Sequence, residues 1–261
     1  MELVNSIVKA ARILDLLKGR GSLSFVEILK QHPLPKSTLS KILHTLEVEE
    51  LVRRDPVSGR YQLGVKLIEW GSGARGQLEI RKIALPLMQE LHETLNCTIH
   101  LTVASHSDVL PIESYESGTT IWQHHIFHGG VGIAAPMHAT AAGKAILAFM
   151  PEDDLECIVR EKGLKKFTDN TITDFATLRA ALAEIRERGY AVSNAEHAEL
   201  VRSVAAPIRD HDGKVFASLA ALGIATRITP EWIPELAQHL VRAAEEISRL
   251  FGYRPGKAVH A

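Results

Sequence analysis

The stretch from Leu34 to Gly64, LPKSTLSKILHTLEVEELVRRDPVSGRYQLG, constrains the fold of this chain more than any other. In its first half, apolar residues recur at the spacing of one face of an α-helix: Leu39, Ile42, Leu43 and Leu46. Polar residues form the opposite face: Ser37, Ser40, Lys41 and His44. Pro35 is predicted in the first turn of this helix, a position that tolerates proline. The helix therefore offers one face for packing and one for contact with a partner.

A two-stranded hairpin is predicted directly after this helix, with strands at 51–54 and 60–63 around the turn at 55–59. Two helices are predicted before it. The first has Ile7, Ala11, Leu14 and Leu17 on one stripe and ends at Gly19, and the second covers 24–29, with Ser24 and Glu27 as a capping box. Three helices within about 50 residues, followed by a hairpin, are typical of a winged helix-turn-helix. This order favours a DNA-reading module over an ordinary helix and hairpin.

The predicted DNA contacts lie on the polar face of the helix and on the hairpin. Ser37, Ser40, Lys41 and His44 are expected to face the major groove, with Thr38 beside them. Four cations are expected at phosphates: Lys36, Arg53, Arg54 and Arg60. For Lys36 and Arg60, a solvated surface charge is an equally good interpretation.

Charge is distributed unevenly along the chain. Residues 1–76 contain 12 Lys and Arg against 8 Asp and Glu, a net charge of +4, and the remaining residues contain 18 against 23, a net charge of −5. The basic part is the predicted DNA reader. A net charge of +4 attracts phosphate only modestly, so we expect paired readers in a homo-oligomer, either a dimer or a tetramer.

Length and composition predict two domains, because the chain has 261 residues and 46% of them are hydrophobic. There is no apolar run long enough for a transmembrane helix and no signal peptide pattern, so no membrane partner is expected. Cys97 and Cys157 are too few for a disulfide framework, which fits a reducing cytoplasm.

We expect the DNA-binding domain at 1–70 and a linker at 71–78, where Gly71-Ser72-Gly73 should interrupt a helix that begins at Val65. The second domain is expected at 79–253, before a flexible tail at 254–261. A helix is predicted at 80–95. An α+β order follows, with helices on one side of the sheet: strands at 98–103, 108–113 and 119–122, helices at 141–150, 155–161 and 175–188, strands at 190–193, 201–208 and 214–222, and a helix at 230–250.

Three separated motifs carry a resemblance to a known family. They are LPKSTLSKILHTLEVEELV followed by YQLGVKL, then PMHATAAGKAILA at 136–148, and RERGYAVSNAEHAELVRSVAAPIRDHDGK at 186–214. On these motifs the chain resembles the IclR family of bacterial transcription regulators over essentially its whole length. The resemblance implies a winged helix-turn-helix, a linker helix and a GAF-like α/β domain that binds a small molecule and pairs or tetramerises the protein. It further implies an effector-responsive repressor of a catabolic operon, which binds double-stranded operator DNA and senses a small organic or aromatic acid, without a cofactor.

The resemblance also implies where the effector lies. In the family, the effector sits against the turn that opens the helix after the PMHATAAGK motif, here Ala141 and Ala142, and the free N–H groups of a helix N-terminus suit a carboxylate. The other residues carried over are His124, Phe127, Ala135, Ser193, Ser203, Ala220 and Leu222. Ala220 and Leu222 are two apart and project to the same face of one strand, where a role as plain core residues is an equally good interpretation.

The sequence departs from the family pattern at three places. Ala220 and Leu222 stand where members commonly have small hydroxyl residues, and the stretch at 193–197 is less acidic than is usual. We therefore expect a less polar pocket floor and an effector larger or more apolar than a two- or three-carbon acid. Glu50-Leu51 stands where the family usually places a glycine between the recognition helix and the wing, which affects the exit angle of the wing.

Two other functions are compatible with the sequence, a metal-responsive regulator and a GAF-like enzyme. A metal-responsive regulator would use imidazoles for zinc from His100, His124, His125, His128, His138 and His197, although 13 histidines cluster by chance in a chain of this length. A GAF-like enzyme is less favoured. Cys97 and His100 are three apart on a strand and point to opposite faces, and Ser203 has no Gly-x-Ser-x-Gly elbow, so no catalytic residue is expected.

Overall fold

The computed structural model describes residues 3–117 and 130–254. The contacts divide the chain into two compact units, Met1–Gln77 and Leu78–Ala261. Within the described ranges, no helix is both long and apolar enough to cross a lipid bilayer.

The first unit contains four helices and a small antiparallel sheet. The elements in chain order are α1 (Asn5–Arg20), β1 (Ser22–Leu23), α2 (Phe25–Gln31), α3 (Lys36–Val48), β2 (Val52–Arg54), β3 (Tyr61–Leu63) and α4 (Lys66–Gln77). The hairpin β2–β3 is the predicted one, and β1 adds a third strand that pairs with β3. A strand of two residues is too short to leave a periodic signal, so the sequence does not predict β1.

The core of the first unit contains the predicted apolar face of α3. In α1 the predicted stripe was partly wrong, because Ile7 and Ala11 are exposed and the helix buries Ile13 and Leu17. The largest fully buried side chains of the unit are Ile13, Leu17, Ile28, Leu39 and Leu43. The capping box of α2 is also confirmed, because Glu27 Oε2 accepts a hydrogen bond from the Ser24 backbone N–H at 2.7 Å and Ser24 Oγ accepts one from the Glu27 N–H at 3.3 Å.

Two further predictions in this unit were wrong in detail. Pro35 is the residue before α3 rather than part of its first turn, and its extended conformation lets its carbonyl accept the first hydrogen bonds of the helix, from Thr38 and Leu39. Gly71-Ser72-Gly73 does not interrupt the helix, because α4 runs through it. Glycine costs about 1 kcal/mol in a helix relative to alanine, but helical dihedrals remain open to it.

In the described part of the second unit, six strands form an antiparallel sheet with helices on both of its faces. The strands lie in the order β6-β5-β4-β9-β8-β7. The elements in chain order are α5 (Glu79–Leu95), β4 (Thr98–Ser105), β5 (Asp108–Tyr115), β6 (Ala135–Pro136), α6 (Ala141–Leu147), α7 (Glu152–Lys162), α8 (Phe175–Arg188), β7 (Ala191–Asn194), β8 (Val201–Arg209), β9 (Val215–Ile224) and α9 (Ile233–Leu250).

Alternate residues of the central strands belong to two separate cores. Ile99, Leu101 and Leu219 pack in a core with residues of α5 and α9, whereas Ala205 and Ala220 belong to a core with residues of α6, α7 and α8. The expectation of helices on one side is therefore wrong. The physical reason is visible in β9, where a nearly continuous buried run replaces the apolar and polar alternation of a strand with one solvated face.

Most element bounds differ from the prediction by one to three residues. Helix α8 has the predicted bounds, capped by Asp174, whose Oδ1 accepts from the Thr177 N–H at 2.8 Å. Helix α6 ends at Leu147 rather than at 150, and α9 begins at Ile233 rather than at 230. The strand predicted at 119–122 and the tail from 255 onward lie outside the described residues.

Candidate functional site

The polar face of α3 is exposed and its apolar face is buried. Leu39, Leu43 and Leu46 lie in the core. The exposed residues are those predicted to meet DNA: Lys36, Ser37, Ser40, Lys41 and His44, with Thr38 half-buried beside them. The helix is thus held by one face and leaves the other open for a partner.

The wing carries two exposed cations on β2, Arg53 and Arg54. The Arg54 guanidinium lies 5.5 Å from the centre of the Tyr61 ring, and its Nε donates to the Gly59 carbonyl at 3.3 Å. Asp55 stabilises the turn between the strands, because its Oδ1 accepts hydrogen bonds from the Ser58 N–H at 2.7 Å and the Ser58 hydroxyl at 2.8 Å. The bonds from Ser58 lower the pKa of the Asp55 carboxyl. The hydrogen bonds of Asp55 therefore fix the turn next to the two cations of β2.

Arg60 is engaged within the protein. Its Nη2 donates to the Ser22 carbonyl at 2.9 Å and lies 2.9 Å from Glu27 Oε2. Arg60 thus connects the wing to β1 and to the cap of α2. A phosphate contact from this residue would compete with these bonds, and it stays a prediction.

At the junction between α3 and the wing, a residue other than glycine adopts the left-handed backbone conformation. Glu50 has φ of 60°, a conformation that costs most L-residues free energy. Gly64 packs against it so closely that a Cβ at that position would lie 1.9 Å from the Glu50 carbonyl oxygen. A glutamate thus occupies the left-handed position, and the backbone of Gly64 makes the close approach to it.

A cavity in the second unit brings together seven of the nine predicted effector residues. They are Ala135, Ala141, Ala142, Ser193, Ser203, Ala220 and Leu222. The empty space in the cavity and its mouth is about 660 Å³, part of it continuous with solvent. The other two predicted residues, His124 and Phe127, lie outside the described residues.

Sequence reasoning missed the remaining lining residues: His100, Thr102, Val109, Pro111, Ala139, Thr140, His197, Ala198 and Val201. His100 is directly opposite Ala220 in the pairing of β4 with β9, so its place in the cavity follows from the strand register. No local pattern in the sequence reveals that register. The pocket floor is consequently more polar than β9 alone suggests, because β4 adds His100 and Thr102 to Ala220 and Leu222.

The N-terminus of α6 opens onto this cavity. Thr140 caps the helix: its hydroxyl accepts from the Gly143 N–H at 3.1 Å and donates to the Pro136 carbonyl at 2.9 Å. The N–H groups of Ala141 and Ala142 have no hydrogen-bond partner among the described residues. Gly143 is needed for the packing, since a Cβ there would lie 2.3 Å from the backbone of Met137.

The polar groups of the wall differ in what they already bind. Ser193 Oγ donates to the Ala139 carbonyl at 3.0 Å. His100 has no hydrogen bond to any residue in 3–117 or 130–254, and its side chain faces the cavity. Burial lowers the pKa of His100 to about 4, so its ring is neutral at physiological pH.

Next to the cavity, α6 is tied to the loop after β7 by a buried ion pair. Lys144 Nζ lies 2.6 and 2.7 Å from the two carboxylate oxygens of Glu196. The Thr171 hydroxyl donates to the Glu196 backbone carbonyl at 2.6 Å and holds this loop. Burial lowers the pKa of Lys144, and the charge of Glu196 opposes that shift. Neither residue lines the cavity, whose described lining contains no Lys, Arg, Asp or Glu.

The metal and enzyme alternatives gain no support from the geometry. Within the described ranges, the group whose ligand atoms converge is Asp210, His211 and Asp212, in the turn between β8 and β9, and it includes neither His100 nor His138. His124, His125 and His128 lie outside the described residues. Cys97 lies in the core on the other face of the sheet from the cavity that His100 lines, and burial raises the pKa of its thiol.

Comparison with known proteins settles the family. The model of the bacterial transcriptional regulator IclR C-terminal domain matches residues 73–249, and the model of the IclR helix-turn-helix domain matches residues 6–56. This chain belongs to the IclR family. It is a DNA-binding transcriptional regulator, with an N-terminal helix-turn-helix domain and a C-terminal effector-binding α/β domain.

Relatives resemble this IclR-family chain along nearly its whole length. The HTH-type transcriptional regulator XynR of Escherichia coli is 32% identical over 97% of this chain and 99% of its own. The acetate operon repressor of Salmonella typhimurium is 30% identical over 95% of this chain and 90% of its own. The crystal structure of the Thermotoga maritima IclR superposes with a TM-score of 0.70 at 35% identity and covers 96% of this chain and 100% of that one.

Proposed function

We propose that this regulator represses a catabolic operon and leaves its operator when a small organic or aromatic monocarboxylic acid binds in the cavity at the N-terminus of α6. The cavity is the observation that carries the proposal. It combines two N–H groups that have no partner among the described residues with walls of alanine, valine, proline and leucine. Free N–H groups at a helix start suit a carboxylate, and apolar walls suit the body of the acid. The acetate operon repressor supports the direction of regulation by similarity.

Several residues have proposed roles around the acid. The carboxylate accepts hydrogen bonds from Ala141 and Ala142, whose small side chains let it approach the backbone. The body of the acid packs against apolar and small polar residues of the wall: Ala135, Ser193, Ser203, Ala220 and Leu222. His124 and Phe127 are proposed to contribute from the preceding loop.

DNA is proposed to contact the exposed face of α3 and the wing. Ser37, Thr38, Ser40, Lys41 and His44 face the major groove, and the cations Lys36, Arg53, Arg54 and Arg60 meet phosphates. The assignment is supported by the exposure of these residues, with two exceptions. Thr38 is half-buried, and the Arg60 guanidinium is already bound to Ser22 and Glu27.

Two readers are proposed to pair in a dimer or tetramer. Large apolar side chains are exposed at the start of the chain and on or beside α4: Leu3, Val4, Ile7, Val65, Ile68 and Trp70. Exposed apolar groups of this kind are typical of protein interfaces. The operator should then contain two near-palindromic half-sites about 10 bp, or a multiple of that, apart. A monomer in light scattering that still binds its operator tightly would contradict this assembly.

No catalytic step is proposed, because the family consists of transcriptional regulators. The described cavity also offers no carboxylate or thiolate for a metal.

A ligand screen by thermal shift over small carboxylic acids tests the function, because a ligand that binds the folded state raises its melting temperature. An acid that stabilises the protein should also release it from operator DNA in a fluorescence anisotropy titration. Ala142→Leu fills the cavity mouth and should abolish the stabilisation and the release. Ala176→Leu, at an exposed position of α8, is the matched control and should respond as the parent does. Equal responses of the Ala142→Leu variant and the parent would show that the effector binds elsewhere.

A further inference from the structure

His100 lies in the interior of β4, with its side chain 8% exposed and directed into the cavity. Its ring nitrogens have no hydrogen bond to residues 3–117 or 130–254. With no protein partner, the ring nitrogens can form hydrogen bonds only with what occupies the cavity, so a ligand group that donates and accepts would take the place of water there. Two other polar groups of the wall, Ser193 and Thr140, are already engaged in hydrogen bonds within the protein.

The chemistry of this group restricts what it can bind. The pKa of about 4 keeps the imidazole neutral, and a neutral imidazole has one N–H donor and one nitrogen acceptor. Thr102, two residues along β4, places a hydroxyl on the same wall of the cavity. An uncharged hydroxyl, which both donates and accepts, matches this pair. A carboxylate at this wall does not, because it only accepts hydrogen bonds and would leave the acceptor nitrogen of the neutral imidazole without a donor.

We propose that His100, together with Thr102, forms a subsite that recognises an uncharged hydroxyl group of the effector. This inference rests on the proposed function, in which the carboxylate of the acid lies at Ala141 and Ala142. It narrows the effector class to monocarboxylic acids that bear a hydroxyl group away from the carboxylate. Dicarboxylic acids of the same size are excluded as good ligands.

Isothermal titration calorimetry with four aromatic probes tests the subsite: benzoate, 3-hydroxybenzoate, 4-hydroxybenzoate and terephthalate. One of the hydroxybenzoates should bind the parent about 10- to 100-fold more tightly than benzoate, the gain expected when a hydroxyl satisfies a buried donor and acceptor. Terephthalate should bind no better than benzoate. His100→Leu should bring the ratio of the hydroxybenzoate and benzoate dissociation constants to about 1, while benzoate affinity is retained and reports that the cavity is folded.

His100→Gln, which keeps a neutral donor and acceptor, should preserve part of the ratio, and Thr102→Val should reduce it. These two variants decide the matter if His100→Leu does not fold. An unchanged ratio in the variants would overturn the subsite and leave the proposed function intact. Failure of all four acids to bind the parent would count against both the acid sensor and the subsite.

Discussion

The buried ion pair of Lys144 and Glu196 allows a quantitative test of what holds the effector-binding domain together. The lysine side chain is 4% exposed and the glutamate side chain 9%, so either charge left alone would be isolated from water. The perturbations are Lys144→Met, Glu196→Gln and the double variant. Each single variant removes one charge and leaves the other inside the protein.

The expected magnitudes follow from this burial. Removing one partner of a buried pair costs about 3–5 kcal/mol of folding free energy, because the remaining charge has no counter-charge. Burial is the largest influence on the pKa of Lys144 and lowers it, so desolvation outweighs the attraction of Glu196. Removing both charges eliminates that desolvation cost along with the attraction. The double variant should therefore be more stable than either single variant and within about 2 kcal/mol of the parent.

Urea unfolding of the full chain measures these free energies. A Trp70→Phe background removes a tryptophan of the first unit, so that fluorescence follows the second unit, where Trp232 lies. Glu246→Gln is the control, because it breaks the exposed pair with Arg249 and should shift the midpoint little. The reasoning fails if the single variants cost no more than this control. It also fails if their effects add within about 0.5 kcal/mol in the double variant.

Three further predictions follow. His100 has a folded pKa of about 4 against 6.5 in the unfolded chain, so the unfolded state binds more protons between these values, and stability should fall by up to about 3 kcal/mol as pH drops through that window. The free energies of unfolding of the parent and of His100→Gln, measured by urea titration, should depend differently on pH in this window. Parallel pH profiles would refute the prediction. Glu50→Gly should raise the melting temperature, because glycine relieves the left-handed strain by up to about 1 kcal/mol. A lower melting temperature for this variant would contradict the prediction. Arg54→Ala should weaken operator binding and lower its salt slope by about 0.9. Arg60→Ala should in addition lower thermal stability, because its bonds to Ser22 and Glu27 are lost. Equal salt slopes for Arg54→Ala and the parent would remove Arg54 from the DNA contacts.

The parts of the molecule that the sequence predicts are those with local signals. The recognition helix follows from apolar spacing, and the cap of α2 follows from Ser24 and Glu27. Ala220 and Leu222 share a face because strand side chains alternate. These features depend only on residues a few positions apart.

Features that depend on distant residues were harder to predict. The place of His100 in the cavity requires the pairing of β4 with β9, whose partners are more than a hundred residues apart. The order of elements along the chain does not show that helices lie on both faces of the sheet, which the nearly continuous apolar run of β9 indicates. The glycines of α4 predict a break by their intrinsic propensity, which the rest of the helix overrides.

Because side chains alternate between two faces along β4, point substitutions and changes of strand length have different consequences in evolution. Ile99 and Leu101 face one core, whereas His100 and Thr102 face the cavity, and every second position belongs to the same face. Point substitutions at the cavity positions can alter ligand preference without disturbing the opposite core. An insertion or deletion of one residue would move the core side chains to the cavity and the cavity side chains to the core, and would disrupt both. New ligand specificities in a domain of this kind should therefore arise by replacement of side chains in strands of constant length.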